Sequence, residues 1–181
     1  MKIISKNKAG FTFIELLVTL AIIATVTGVF LANYYGGETK SQLIEVTDSL
    51  LGDLRFAQSN SLGAVRYDGT VPAGGWGVHL ETASTTYLLF ADVDGDLEYD
   101  DDGSEFSDNN GGRSINIPDS VVLTNLDGAA AVDITFSTSS PLAIIYDGVA
   151  TSSSLRVTFT DQVNNATSSV LVNSWGLISN E

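Results

Sequence analysis

Nine carboxylates crowd into the seventeen residues "DVDGDLEYDDDGSEFSD": Asp92, Asp94, Asp96, Glu98, Asp100, Asp101, Asp102, Glu105 and Asp108. Acids at alternate positions of a loop can turn several oxygens toward one centre, the ligand chemistry calcium uses. Counted from Asp92 as in an EF-hand, positions one, three, five, seven and nine are acidic, but position six is Leu97 instead of glycine and position twelve is Gly103 instead of glutamate. The loop is therefore not an EF-hand. The expected calcium ligands are Asp92, Asp94, Asp96, Glu98 and Asp100, with Glu105 closing the ring. The competing reading is a solvated loop whose like charges only repel. An acid/base pair of the glycosidase kind fits less well, because it needs two carboxyls in contrasting environments.

Other chemistry is scarce. With no cysteine and a single histidine, the 181-residue chain has no disulfide, no thiol nucleophile, and too little imidazole for most zinc or triad sites. That histidine, His79, alternates with apolar neighbours in "GWGVHLET", which predicts a solvated side chain on a polar strand face. The formal net charge is −14, and without Lys2, Lys6 and Lys8 the remainder stands at −17, which argues against a nucleic-acid partner. Asn165-Ala166-Thr167 is a glycosylation sequon, a three-residue pattern common by chance.

The remaining reactive position is Glu15, the one charged side chain between Phe11 and Leu31. About 21 helical residues at ~1.5 Å each span a bilayer core of ~30 Å. A carboxylate there costs roughly 2.5–3.5 kcal/mol, so it calls for a partner or a function. The run exceeds the ~7–15 apolar residues of a secretory signal peptide. Lysines on its N-terminal side keep the leader cytoplasmic and send the rest outward.

Lys8-Ala9-Gly10 followed by "FTFIELLVTLAII" resembles the prepilin signal of type IV pilins and of the pseudopilins of type II secretion. The resemblance implies cleavage between Gly10 and Phe11 by a membrane-embedded aspartyl prepilin peptidase, then N-methylation of Phe11. It also implies that Glu15 pairs with the terminal amine of a neighbouring subunit as helices pack into a filament. An opposite charge at close range in low dielectric offsets much of the burial cost. The plainer alternative is an acid favoured by the helix macrodipole, worth ~0.3–1 kcal/mol.

These positions need a long helix to carry them. Leu43, Val46, Leu50, Leu54 and Ala57 recur at three or four residues, and the first proline is Pro72, so a helix of about 75 Å from Phe11 to Ser61 is expected, with Gly36-Gly37 as its softest point. Beyond Gly74 the period becomes two. Trp76, Val78 and Leu80 share one side, as do Val132, Ile134 and Phe136, and Leu155, Val157 and Phe159; Val170 and Val172 follow the Asn164-Asn165 turn. Short strands with polar turns predict an antiparallel sheet.

The expected class is therefore α+β, pilin-like: leader 1–10, transmembrane segment 11–32, helix continuation 33–62, and a β domain 63–181 with the acidic loop 92–108. A looser resemblance, carried by "DLRFAQSNSLGAV", "GWGVHL", "YLLFADVDGD", "PLAIIYDGV" and "VLVNSWGLI", is to the H-type minor pseudopilins and related minor pilins. It departs from them in reading Ala57-Gln58 where an Ala-Arg pair is common, and in lacking the basic C-terminal segment linked to DNA uptake. Together the resemblances imply a structural subunit without catalytic residues, anchored in the cytoplasmic (inner) membrane with its C-terminal domain outside, then part of a filament. Its partners would be prepilin peptidase, other pilin or pseudopilin subunits and the inner-membrane assembly platform. The alternatives are a major pilin and an anchored carboxylate enzyme.

Overall fold

The computed structural model describes residues 10–106 and 111–181, and of 32–37 the backbone only. The leader lysines and Asp108 lie outside the described residues. Helix α1 is Phe13–Leu62 and includes the backbone of Gly36-Gly37. The chain divides into two compact units, Met1–Glu38 and Thr39–Glu181.

Among its described side chains the first unit has no core. Phe13–Leu31 is long and apolar enough to cross a membrane, and none of it is buried against protein. The second unit begins inside α1. Leu43, Val46, Leu50, Leu54 and Ala57 form the buried face, the stripe that the three-to-four spacing requires. The helix stops in a Schellman motif: the Val65 amide bonds the Asn60 carbonyl at 2.9 Å and the Ala64 amide bonds Ser61 at 3.0 Å. Ala64 takes the left-handed conformation, φ 47°, where glycine is usual.

Ten strands follow among the described residues: β1 Gly75–Glu81, β2 Thr86–Asp92, β3 Arg113–Asn116, β4 Val121–Leu126, β5 Ala131–Phe136, β6 Ala143–Tyr146, β7 Thr151–Ser152, β8 Ser154–Asp161, β9 Thr167–Asn173 and β10 Ile178–Asn180. They pair antiparallel into a six-stranded sheet, β3-β2-β1-β5-β6-β7, and a four-stranded sheet, β10-β9-β8-β4. All the inward residues named from the two-residue period are buried, and they share one cluster with the helix stripe.

Polar bonds tie α1 to both sheets. Ser61 Oγ accepts the Trp76 amide at 2.7 Å, and Gln58 Nε2 donates to the carbonyls of Pro141 and Gly176 at 3.1 and 3.0 Å. Asp53, nearly buried, accepts from the Tyr87 hydroxyl and from Arg113 Nη2, both at 2.7 Å. Ser120 Oγ bonds Gln42 Oε1, and Asn164 Nδ2 bonds Thr39 Oγ1 at 2.9 Å.

The sheet edges are short or blocked. β3, β7 and β10 have four, two and three residues. On β4 the Leu123 carbonyl is taken by the Ala83 amide at 3.0 Å, and the register slips between Leu123 and Asn125.

Candidate functional site

Two regions carry the residues singled out by the sequence. At the start of α1, Thr12 precedes the first helical residue and Glu15 lies in the first turn. The Glu15 amide donates to Thr12 Oγ1 at 3.3 Å, and the Thr12 amide donates to Glu15 Oε2 at 3.4 Å. This reciprocal pair is a capping box, which satisfies helix donors that have no intrahelical partner. Its T-x-x-E signature is legible at residues 12–15 of the sequence, and Thr12 is the functional candidate that charge-based reading passes over. Gly10 and Phe11 are exposed ahead of it.

The second region is the loop after β2. Asp92 ends that strand and is fully buried; its Oδ1 accepts the Gly95 amide at 2.6 Å and its Oδ2 the Leu97 amide at 3.1 Å. Asp94 and Asp96 are exposed, and each accepts the amide two residues on. Oxygens of Asp92, Asp94 and Asp96 lie within 4.8 Å of one another. Among the described residues Glu98, Asp100 and Glu105 are not in that group. Glu105 is instead a buried brace: Oε1 accepts the Val93 amide at 2.8 Å and Oε2 the Asp100 amide at 3.0 Å.

Burial dominates the electrostatics. It pushes the Asp92 carboxyl up to about 6 and Glu105 up to about 7, against the pull of the amides that each accepts; neighbouring acids add to the rise. Asp100 is raised as well, by desolvation and then by Asp96. Asp102 is lowered by its bonds to Ser104.

The loop lies on the outer face of the six-stranded sheet. Tyr99 packs its ring 5.5 Å from Phe90 and 5.1 Å from His79, centroid to centroid. Phe90 is fully buried there, outside the main core. His79 is consequently not the solvated side chain its strand position predicts. Its Nδ1 is 2.7 Å from Asp133 Oδ1 on the paired strand, and Tyr99 covers part of its ring. The period of the strand gives the face correctly, but a loop that returns to cover a polar face leaves no mark in that period.

Residues 5–31 match a family model described as the prokaryotic N-terminal methylation motif. The chain carries the signature of type IV pilins and pseudopilins. No curated protein and no solved structure matches it. A pilin-like or pseudopilin subunit accounts for an apolar N-terminal helical segment with no core among its described side chains, followed by a unit in which the rest of the helix packs on the β-sheets. The signature points to a structural subunit, to prepilin peptidase processing and to assembly with other pilin subunits.

Proposed function

We propose that this chain is a minor, H-type-like subunit of a type II secretion pseudopilus or a type IV pilus. It is cut between Gly10 and Phe11, N-methylated at Phe11, and assembled by packing of the apolar helix, with Glu15 meeting the terminal amine of a neighbour. The observation that carries the reading is the methylation motif over residues 5–31. Membrane insertion before assembly is supported by Phe13–Leu31, which has the length and hydropathy of a span.

Charge favours a minor subunit over a major pilin. From Thr39 onward the chain holds twenty acids and five bases, a net charge of −15. A fibre of identical copies would stack like charges at every contact, whereas a scarce subunit meets mostly other chains. Intact-mass analysis of membrane-extracted protein tests the processing. A chain beginning at Phe11 with one added methyl group is expected; one beginning at Met1, or near Asn33, removes the reading.

The same subunit is proposed to hold calcium at the acidic loop. Asp92, Asp94 and Asp96 would supply the first ligands and Glu98 and Asp100 the outer positions, while Glu105, whose two oxygens accept the Val93 and Asp100 amides, would brace the loop around the ion. The grouping of three carboxylates within 4.8 Å supports it, and oxygen-only ligands suit calcium. Calcium takes about 6–8 oxygens, so carbonyls and water would complete the shell.

A further inference from the structure

A cavity of about 360 Å³ opens on the outer face of the six-stranded sheet, apart from the Asp92, Asp94 and Asp96 group; its lining includes His79, Glu81, Thr86, Leu88, Tyr99 and Asp101. Its walls are held in place. His79 is fixed through Nδ1 by Asp133, and Tyr99 is wedged against both His79 and the buried Phe90.

The lining has a consistent chemistry. His79 Nδ1 is taken up by Asp133 Oδ1 at 2.7 Å, which leaves Nε2 as the ring nitrogen not engaged by that carboxylate. Glu81 and Asp101 add two exposed carboxylates, Tyr99 an aromatic face and Leu88 an apolar surface; among the described residues no lysine or arginine lines the cavity. Acceptors and negative charge beside an aromatic ring complement a cation on an apolar stem. A bare metal ion fits poorly. Among the described residues, the acids and the histidine of this cavity are not close enough together to share one, and the volume lies at the lower end of the ~300–1,000 Å³ typical of small organic ligands.

We propose that this cavity binds an arginine side chain presented by another protein. The guanidinium pairs with Glu81 and Asp101 and stacks on Tyr99, while the methylene stem lies on Leu88. Arginine is preferred to lysine because its planar, weakly hydrated group can stack and donate in several directions at once. The proposal does not depend on which assembly the chain joins.

His79 is the only histidine, so in ¹⁵N-labelled full-length protein in detergent micelles a single imidazole reports on the cavity. N-acetyl-arginine methylamide is the probe, its uncharged citrulline counterpart the control, and spermidine stands for a free polyamine. A saturable shift of the His79 signal is expected with the arginine probe and none with citrulline. Glu81→Gln and Asp101→Asn should each weaken binding about two- to fivefold, as for exposed ion pairs. Both carboxylates are exposed, so neither change threatens the fold. The absence of a saturable shift, an equal shift with citrulline, or saturation by spermidine but not by the arginine probe would each overturn the proposal.

Discussion

Thr12 and Glu15 satisfy each other's hydrogen-bonding groups, amide to hydroxyl at 3.3 Å and amide to carboxylate at 3.4 Å. Glu15 therefore has a partner within its own helix before any neighbour arrives. The observed cap and the proposed counter-charge role are separable by substitution, because glutamine also serves in a capping box but carries no charge.

Glu15→Gln should retain the cap and Glu15→Leu should lose it, while both insert into the membrane at least as well as wild type, since an insertion cost is removed. Both should enter filaments poorly, because a neighbour's amine would be buried without its counter-charge. Quantifying each variant in sheared filaments and in the membrane fraction checks this. Normal assembly of Glu15→Gln would leave Glu15 as a helix cap alone.

The calcium-free protein should lose stability as pH rises. Asp92 and Glu105 titrate higher in the fold, at about 6 and 7, than ordinary carboxylates do. The folded state therefore binds more protons than the unfolded chain between about pH 4 and 7. Their contribution is complete below the unfolded carboxylate range and disappears as pH passes through 6 to 7. Thermal melts in chelator should give a midpoint several degrees lower at pH 8 than at pH 4.5.

Calcium should reverse that loss. Free calcium at ~100 times its dissociation constant stabilises by about 2.7 kcal/mol. Magnesium should substitute poorly, since it demands a tighter octahedral shell. Asp94→Ala with Asp96→Ala should abolish the calcium shift without lowering the calcium-free midpoint, because both side chains are exposed and of like charge. Coincident melts in chelator, calcium and magnesium would mean that the acids bind neither ion.

Asp53 should be the most costly polar position on the helix. Replacing it by alanine removes the carboxylate partner of Arg113 and the nearer of two partners of the buried Tyr87 hydroxyl. A loss of about 2–4 kcal/mol is expected in urea unfolding. Arg113→Ala should cost less, about 1 kcal/mol, since that side chain is half exposed.

Two glycines should respond in opposite directions to alanine. At Gly74 a Cβ would run into the Asp92 carboxylate, so Gly74→Ala should destabilise by about 1–3 kcal/mol. At Gly52, helical and exposed with open space where a Cβ would go, the same change should stabilise by about 0.8–1.0 kcal/mol. Denaturant midpoints compare them directly.

Much of the fold is legible from the sequence where one face meets the core and the other meets water. The helix stripe from Leu43 to Ala57 and the alternation in β8 are of that kind, whereas β1 and β5 alternate in residue type although Gly77, Asp133 and Thr135 on their other face are buried as well. β2 is different: from Leu89 to Asp92 "TYLLFAD" is buried on both faces, with the core on one side and the Tyr99 loop against Phe90 on the other, so its apolar residues run on without alternation. At the acidic loop the sequence identifies the acids but not their division of labour. Asp92 and Glu105 are buried braces on backbone amides, whereas Asp94 and Asp96 face solvent, and only packing distinguishes them.

Both sheets end in strands that are poor templates for another chain: β3, β7 and β10 are a few residues long, and β4 is bulged and partly occupied by Ala83. Exposed long edges invite strand addition and amyloid-like growth. In the proposed filament, neighbouring domains would be held side by side at high local concentration, which would raise that hazard. Blunted edges close the cross-β route, so that the proposed packing of the apolar N-terminal helix would be the way this subunit joins a filament.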